Sequence, residues 1–301
     1  MIRYLPPYAW ALAALAPLPA CAQQPAPPPV AVQDADPALW VIKDADTTIY
    51  LFGTIHVLKP GLSWFDEAVK KAFDSSDTLV TEIIPSDPAS MQALVARVGT
   101  APGQTPLTEQ LPADKRAAYT KALGTIGVPA TALDGMKPWL AAVTLSVAPL
   151  RDMGFSDDNG PETILAKAAA AQKKKTAALE TAEQQFSYFN SLSAPAQLSF
   201  LTSTIDELPK LRSTMETMVA QWSRGDPDAL AKEMNDSLQD SPEVAQKLLF
   251  DRNTRWAGWI AERMKTPGTV FVAVGAGHLA GPGSVQTQLG AYKLKAVRVK
   301  Y

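Results

Sequence analysis

The chain contains two histidines, and each follows a glycine by three positions at the end of an apolar run. The first run is Ile49 to Phe52, leading into Gly53-Thr54-Ile55-His56; the second is Val270 to Val274, leading into Gly275-Ala276-Gly277-His278. With 17 glycines in 301 residues, chance would place glycine three before both histidines in (17/301)², about 0.3%, of shuffled chains, so the spacing is read as a motif. A glycine closing a buried strand lets the backbone turn sharply or approach a ligand closely. The residues after it then set an imidazole at the strand's carboxyl edge, where sheets of this kind host ligands. Two neutral imidazoles and a carboxylate are a common ligand set for zinc, manganese, iron or cobalt.

Glu82 is the carboxylate best suited to join them. It interrupts the apolar run Leu79 to Ile84, where an unpaired buried charge would cost several kcal/mol. It is therefore expected to pair with a metal, an arginine or a protonated partner, unless the strand lies at an edge and turns it to solvent. Glu180 ends a second short run, Ala177 to Leu179, and can serve the same site or, with Thr181, cap the following helix. Arg252 and Asn253 fall on the apolar stripe formed by Ala245, Leu249, Trp256, Trp259 and Ile260. A guanidinium inside such a stripe calls for an anion, either Glu82, Glu180 or a bound substrate.

The elements that must carry these residues can be read from periodicity. Leu39–Lys43 and Thr48–Ile55 read as a hairpin around Asp44-Ala45-Asp46. A helix over Ser63–Phe73 follows, with Ser63 and Asp66 as capping residues, then a central strand over Thr78–Ile84. The middle reads as helical: a helix after Ser86-Asp87-Pro88, then 112–123, 130–149, 182–192, 195–223, 226–237 and 242–265, interrupted by a strand at Lys175–Glu180. Strands are expected again at Thr269–Val274 and Tyr292–Val299. The fold class is thus α/β (α+β), a central mixed sheet from the N- and C-terminal segments with a large helical section packed around it.

Residues 1–22 read as an export leader: Arg3 is a minimal positive start, and Tyr8–Leu18 is apolar but short for a bilayer span. Ala20-Cys21-Ala22 has the small-x-small pattern of a cleavage site. The overlapping Leu18-Pro19-Ala20-Cys21 resembles a lipobox in which Cys21 is lipidated, although its proline favours plain secretion. Export to the periplasm is expected, with a lipid anchor on Cys21 as the alternative. The Pro- and Ala-rich stretch 23–37 reads as a tether, and 38–301 as a single domain. Cys21 is the sole cysteine, so no disulfide is expected. A formal net charge of −2 without basic runs, apart from Lys173 to Lys175, offers no footprint for nucleic acid. The expected partner is a peptide or small-molecule substrate, with membrane contact only through the leader or a lipid.

Together these residues resemble the TraB/GumN family, the group that includes the Tiki metalloproteases and the pheromone-shutdown proteins. The resemblance rests on Leu51 to His56, Leu79 to Glu82, Met136 to Trp139, Leu179 to Gln184, Arg252-Asn253 and Val274 to Leu279, in the family's order over about 38–301. It implies a metal-dependent hydrolase, chiefly a peptidase, using manganese, cobalt or zinc. His56 and His278 would be ligands or bases, and Glu82 a ligand or general base. Arg252 and Asn253 would orient substrate or stabilise developing negative charge. The stretch Gly154–Glu162 departs from the family's tighter glycine–aspartate segment, and Asp157, Asp158 or Glu162 is left to fill its role. Two alternatives keep the same residues: metal-free hydrolysis like that of erythromycin-esterase-like enzymes, and a non-catalytic periplasmic binding protein.

Overall fold

The computed structural model describes residues 32–84, 87–236 and 241–301; the leader, Cys21 and most of the tether lie outside them. Pairing begins with β1 (Gln33–Asp34), which runs parallel to β4 (Leu62–Ser63). The hairpin forms as expected from β2 (Leu39–Lys43) and β3 (Thr47–Thr54). Its turn is closed by the Asp44 carboxylate, which accepts from the backbone N–H of Asp46 at 3.2 Å and of Thr47 at 2.8 Å.

The main sheet has six strands in the order β6-β5-β7-β3-β2-β8, where β5 is Thr78–Thr81, β6 Lys175–Ala178, β7 Gly268–Gly275 and β8 Val297–Arg298. β6, β5, β7 and β3 are mutually parallel, while β2 is antiparallel to both β3 and β8. Register aligns the carboxyl ends of the parallel four: Thr81 pairs with Ala178 and Ala273, and Thr54 with Gly275. β7 is buried on both faces. Phe271 and Ala273 join Phe52, Trp64, Phe73 and Leu79 on one side; Val270, Val272 and Val274 join Ile49, Leu51, Val80 and Trp256 on the other. This alternation is the period-two signature of a strand with a core on each face.

Helices α1 (Glu67–Asp74), α2 (Pro88–Gly99), α3 (Leu107–Gln110), α4 (Ala113–Thr125), α5 (Pro138–Asp152) and α6 (Pro161–Ala171) precede β6. After it come α7 (Ala182–Asn190), α8 (Ala194–Glu207), α9 (Leu211–Ser223), α10 (Pro227–Asp236), α11 (Pro242–Ala245), α12 (Asp251–Arg263) and α13 (Val285–Gln288). A third core, with Leu107, Tyr119, Leu123, Leu145 and Leu201, holds α3, α4, α5 and α8 together. No helix of the described residues is long and apolar enough to cross a membrane.

Several elements differ from the sequence reading. The helix expected from Ser63 starts at Glu67, because Ser63 belongs to β4 and its hydroxyl donates to Asp66, whose side chain makes no cap bond. The helix expected over 130–149 begins only at Pro138, since the residue before a proline is driven from the helical region. The single helix 195–223 is two, separated by a 3-10 turn, Leu208–Lys210, around Pro209. The run 242–265 contains a π-helical segment at Gln246–Phe250. The strand Thr78–Ile84 ends at Thr81, which frees Glu82 from the ladder. The last strand shortens to Val297–Arg298, because Tyr292 closes a 3-10 turn and Lys293 is left-handed.

Candidate active site

The parallel strands deliver their chemistry in strand order along one edge of the sheet. Glu180 lies two residues beyond β6 and Glu82 one beyond β5. Gly275 ends β7, with His278 in the 3-10 turn Ala276–His278 that follows, and His56 lies two beyond β3. Gly275 is the floor on which they converge. A Cβ there would stand 3.2 Å from Glu82 Oε1, 3.6 Å from His278 Cδ2 and 3.9 Å from His56 Cε1. Gly53 allows the neighbouring approach, with only 3.1 Å between its would-be Cβ and Ala276.

Arg252 enters from α12 and is almost wholly spent within the protein. Its Nε donates to both oxygens of Glu180, at 3.0 and 3.1 Å. One terminal nitrogen reaches Glu82 Oε2 at 2.6 Å and Glu180 Oε2 at 3.0 Å. The other donates to Leu248 O and to His278 Nε2, each at 3.2 Å. Trp256 lies under the guanidinium at 4.6 Å, and its Nε1 donates to Glu180 at 3.1 Å. Glu82 is completed by the Gly275 N–H at 2.8 Å and the Gln185 amide at 2.9 Å. Glu180 therefore belongs to the site, and Thr181 takes the capping role through a capping box with Gln184.

His278 is held in one tautomer. Asn253 Nδ2 donates to Gly283 O at 2.8 Å, which turns its Oδ1 to the imidazole; Nδ1–H of His278 donates to that oxygen at 2.6 Å. The remaining ring nitrogen accepts from Arg252. Burial and the adjacent guanidinium keep the ring neutral, lowering its pKa to about 3 against the attraction of Glu82. Burial opposes the charge of Glu82, yet the Arg252 guanidinium, with His56 and the Gly275 N–H, holds its pKa down at about 2.

His56 stands apart in this respect. Its Nδ1 pairs with Glu162 Oε1 at 2.6 Å, its side chain is 67% exposed, and Nε2 has no hydrogen-bond partner among the described residues. Desolvation works against its charge, but the Glu162 bond and the charges of Glu162 and Glu82 outweigh it, raising its pKa to about 9. Glu162, in the first turn of α6, also accepts from Thr54 Oγ1 at 2.6 Å, and its own pKa is lowered by His56 despite burial. Of the three acidic residues left open by the sequence, Asp157 and Asp158 are exposed, and Glu162 is the one beside a histidine. Gly160 permits this, because a Cβ at that position would fall 2.1 Å from the His56 carbonyl oxygen. Thr54 and Gln185 were not foreseen; Thr54 sits inside the first glycine–histidine motif, while nothing local marks Gln185.

The hydrogen bonds also decide whether the expected metal ligands fit a metal. His278 has no free lone pair, since one nitrogen carries the proton given to Asn253 and the other accepts from Arg252. Both oxygens of Glu82 are engaged, one by a guanidinium. An ion drawn to either residue would stand against a fixed cation. Among the described residues no group of three or more His, Cys, Asp or Glu side chains is arranged to hold a metal ion. His56, His278 and Glu82 thus come together without forming a three-ligand set.

The carboxyl edge of this α/β sheet thus carries a tethered arginine, two carboxylates, a neutral imidazole and an open histidine–glutamate pair, all at parallel strand ends. The chain belongs to the TraB/PrgY/gumN family, whose model matches residues 38–297. It is 23% identical over 244 residues to the uncharacterized protein YbaP of Escherichia coli (strain K12), covering 80% of this chain and 87% of that one. It is also 27% identical over 290 residues to the metalloprotease TIKI2 of Xenopus tropicalis, covering 78% of this chain and 55% of that protein. No solved structure matches the chain.

Proposed function

We propose that the chain is a hydrolase of peptide or small-molecule carbonyl substrates, with His56 as the group that moves the proton. The observation carrying this reading is the His56–Glu162 pair, a 2.6 Å hydrogen bond that orients an otherwise unbonded, exposed imidazole beside the Gly275 floor. With Nδ1–H directed at Glu162, the neutral ring presents the Nε2 lone pair to a water. As that water attacks a carbonyl, Nε2 takes its proton, and the imidazolium is stabilised by Glu162 and Glu82. The same proton then passes to the leaving nitrogen or oxygen as its bond to carbon breaks. Arg252 and Asn253 act at one remove, as positioning residues that hold Glu82, Glu180 and His278. The leader-like residues 1–22 support an exported, periplasmic setting.

A second reading, a metal-dependent peptidase, is favoured by the name of the frog relative. One experiment separates the two. Chelator-treated protein and its His56→Ala variant are assayed on chromogenic esters and peptides, with and without manganese, cobalt or zinc. Turnover that survives chelation and falls by about 10²–10⁴-fold in His56→Ala supports acid–base catalysis by this ring. Turnover only with added metal moves the reading to the metallopeptidase, and absence of turnover under every condition defeats both.

A further inference from the structure

We propose that Arg255 binds a carboxylate of the substrate, so that the site takes peptides bearing a free C-terminal or side-chain carboxylate a few residues beyond the bond that is cut. This deepens the hydrolase reading above and rests on it.

Arg255 stands one turn after Arg252 on α12, and the two guanidiniums are used in opposite ways. Arg252 is buried and bonded to Glu82, Glu180, His278 and Leu248 O. The Arg255 side chain is 49% exposed, and Glu180, the acidic group beside it, has no room for another donor. Oε1 of Glu180 already accepts from Arg252 Nε at 3.0 Å and Trp256 Nε1 at 3.1 Å. Its Oε2 meets Arg252 Nε at 3.1 Å and a terminal nitrogen of Arg252 at 3.0 Å. Each carboxylate oxygen has two lone pairs, so both are filled. Arg255 is accordingly left 3.9 Å from Oε1, beyond hydrogen-bond distance.

What holds Arg255 is the ring of Tyr188, whose centroid lies 4.7 Å from the guanidinium carbon. Tyr188 lies on α7, one turn after Gln185, whose amide donates to Glu82. Lys247 Nζ, from the segment before α12, donates to Ser191 O at 2.9 Å just past the end of α7, which ties the ring to the arginine it supports. A guanidinium held against an aromatic face, with no carboxylate of the protein taking up its fork, is suited to grip an incoming carboxylate through two parallel hydrogen bonds. Glu82 and Glu180 are balanced by Arg252 and Arg255, so this end of the site presents no net negative charge to repel it. The spacing sets which carboxylate fits. Glu180 follows β6 and His56 follows β3, three strands along in the order β6-β5-β7-β3, which is about 14 Å at about 4.8 Å per step. An extended peptide laid across the strand ends covers that span in about four residues. Ile84, two residues past Glu82 at the intervening strand β5, is 51% exposed and offers such a peptide an apolar contact.

The test measures binding of dye-labelled octapeptide pools, randomised at the first seven positions, to His56→Ala, which on the hydrolase reading cannot turn them over. One pool ends in alanine with a free carboxylate, one in alanine amide and one in glutamate amide. The free-acid pool is expected to bind at least tenfold more tightly than the alanine amide. Adding Arg255→Ala should remove that preference, and Arg255→Lys, which keeps the charge without the fork, should retain only part of it. Tight binding of the glutamate amide assigns the site to side-chain carboxylates as well; weak binding assigns it to the C-terminus alone. Equal binding of acid and amide, or no binding of any pool, overturns the proposal without recourse to an Arg255 variant. A preference that survives in folded Arg255→Ala does so too. Cleavage of the same pools by wild type separates this proposal from the reading it rests on. An Arg255-dependent preference without cleavage removes the hydrolase and leaves a carboxylate-binding cleft, whereas equal cleavage of acid and amide keeps the hydrolase and removes the role of Arg255.

Discussion

At the scale of the residue, the two histidines are opposites despite matched sequence contexts. His278 has both ring nitrogens bonded and is kept neutral, whereas His56 offers a nitrogen to the cleft and holds its proton to about pH 9. The difference lies in the neighbours, a guanidinium at one ring and Glu162 at the other. Replacing Glu162 with Gln removes the largest influence that raises the His56 pKa. The His56 ring in Glu162→Gln is therefore expected to titrate at least one pH unit below wild type, while His278 stays neutral through the same range. With two histidines in the chain, NMR of the ring protons reads both titrations directly. Because base catalysis needs the neutral ring, the rising limb of kcat/KM should centre near pH 9 in wild type and move down with the titration. A limb that does not move in Glu162→Gln removes His56 as the base.

At the scale of the element, the site depends on how α6 meets the loop after β3. The start of that helix lies against the His56 backbone, and only a glycine at position 160 leaves room, because any Cβ would overlap the His56 carbonyl at 2.1 Å. Gly160→Ala must separate the two elements, at a cost of about 1–3 kcal/mol typical of overpacking. It should also lengthen the His56–Glu162 bond, so a lower Tm is expected together with a His56 titration nearer the ordinary range. A lowered Tm with an unchanged titration would show the packing to be separate from the site. Much of this arrangement was legible in the sequence. β3 and β7 announce themselves by short apolar runs closed by glycine, and Glu82 and Arg252 stand out as charges where the pattern demands apolar residues. The His56–Glu162 contact was not legible beyond a choice of three acids, because it joins residues 106 positions apart through a helix packing that no local pattern encodes. Pro209 divides the run 195–223, expected as one helix, into two, because its ring cannot continue the helical hydrogen-bond ladder.

At the scale of the whole molecule, the described chain from Val32 to Tyr301 forms one compact unit whose sheet terminates in buried charge. Stability is therefore tied to pH through that edge. The folded His278 titrates at about 3, against 6.5 for an unperturbed histidine, so the unfolded chain takes up this proton first as pH falls. Stability from His278 is present above about pH 6.5 and is lost progressively towards pH 3. Glu82, lowered from 4.5 to about 2, has the same sign: its stabilisation is present above pH 4.5 and lost as pH falls towards 2. His56 has the opposite sign, since its raised pKa makes its contribution full below pH 6.5 and lost as pH rises through 9; its exposure keeps that contribution small. Denaturant unfolding across pH is thus expected to show a steep acid limb, with a loss on the order of a few kcal/mol between pH 6.5 and 3, and a shallow alkaline one. In Asn253→Leu the acceptor that fixes the His278 tautomer is gone, and a buried N–H is left unsatisfied or the ring must turn. That variant should be less stable at neutral pH by about 1–3 kcal/mol. A wild-type stability curve that is flat from pH 6.5 to 3 would mean that the edge is hydrated and its charges are not held as the hydrogen bonds require.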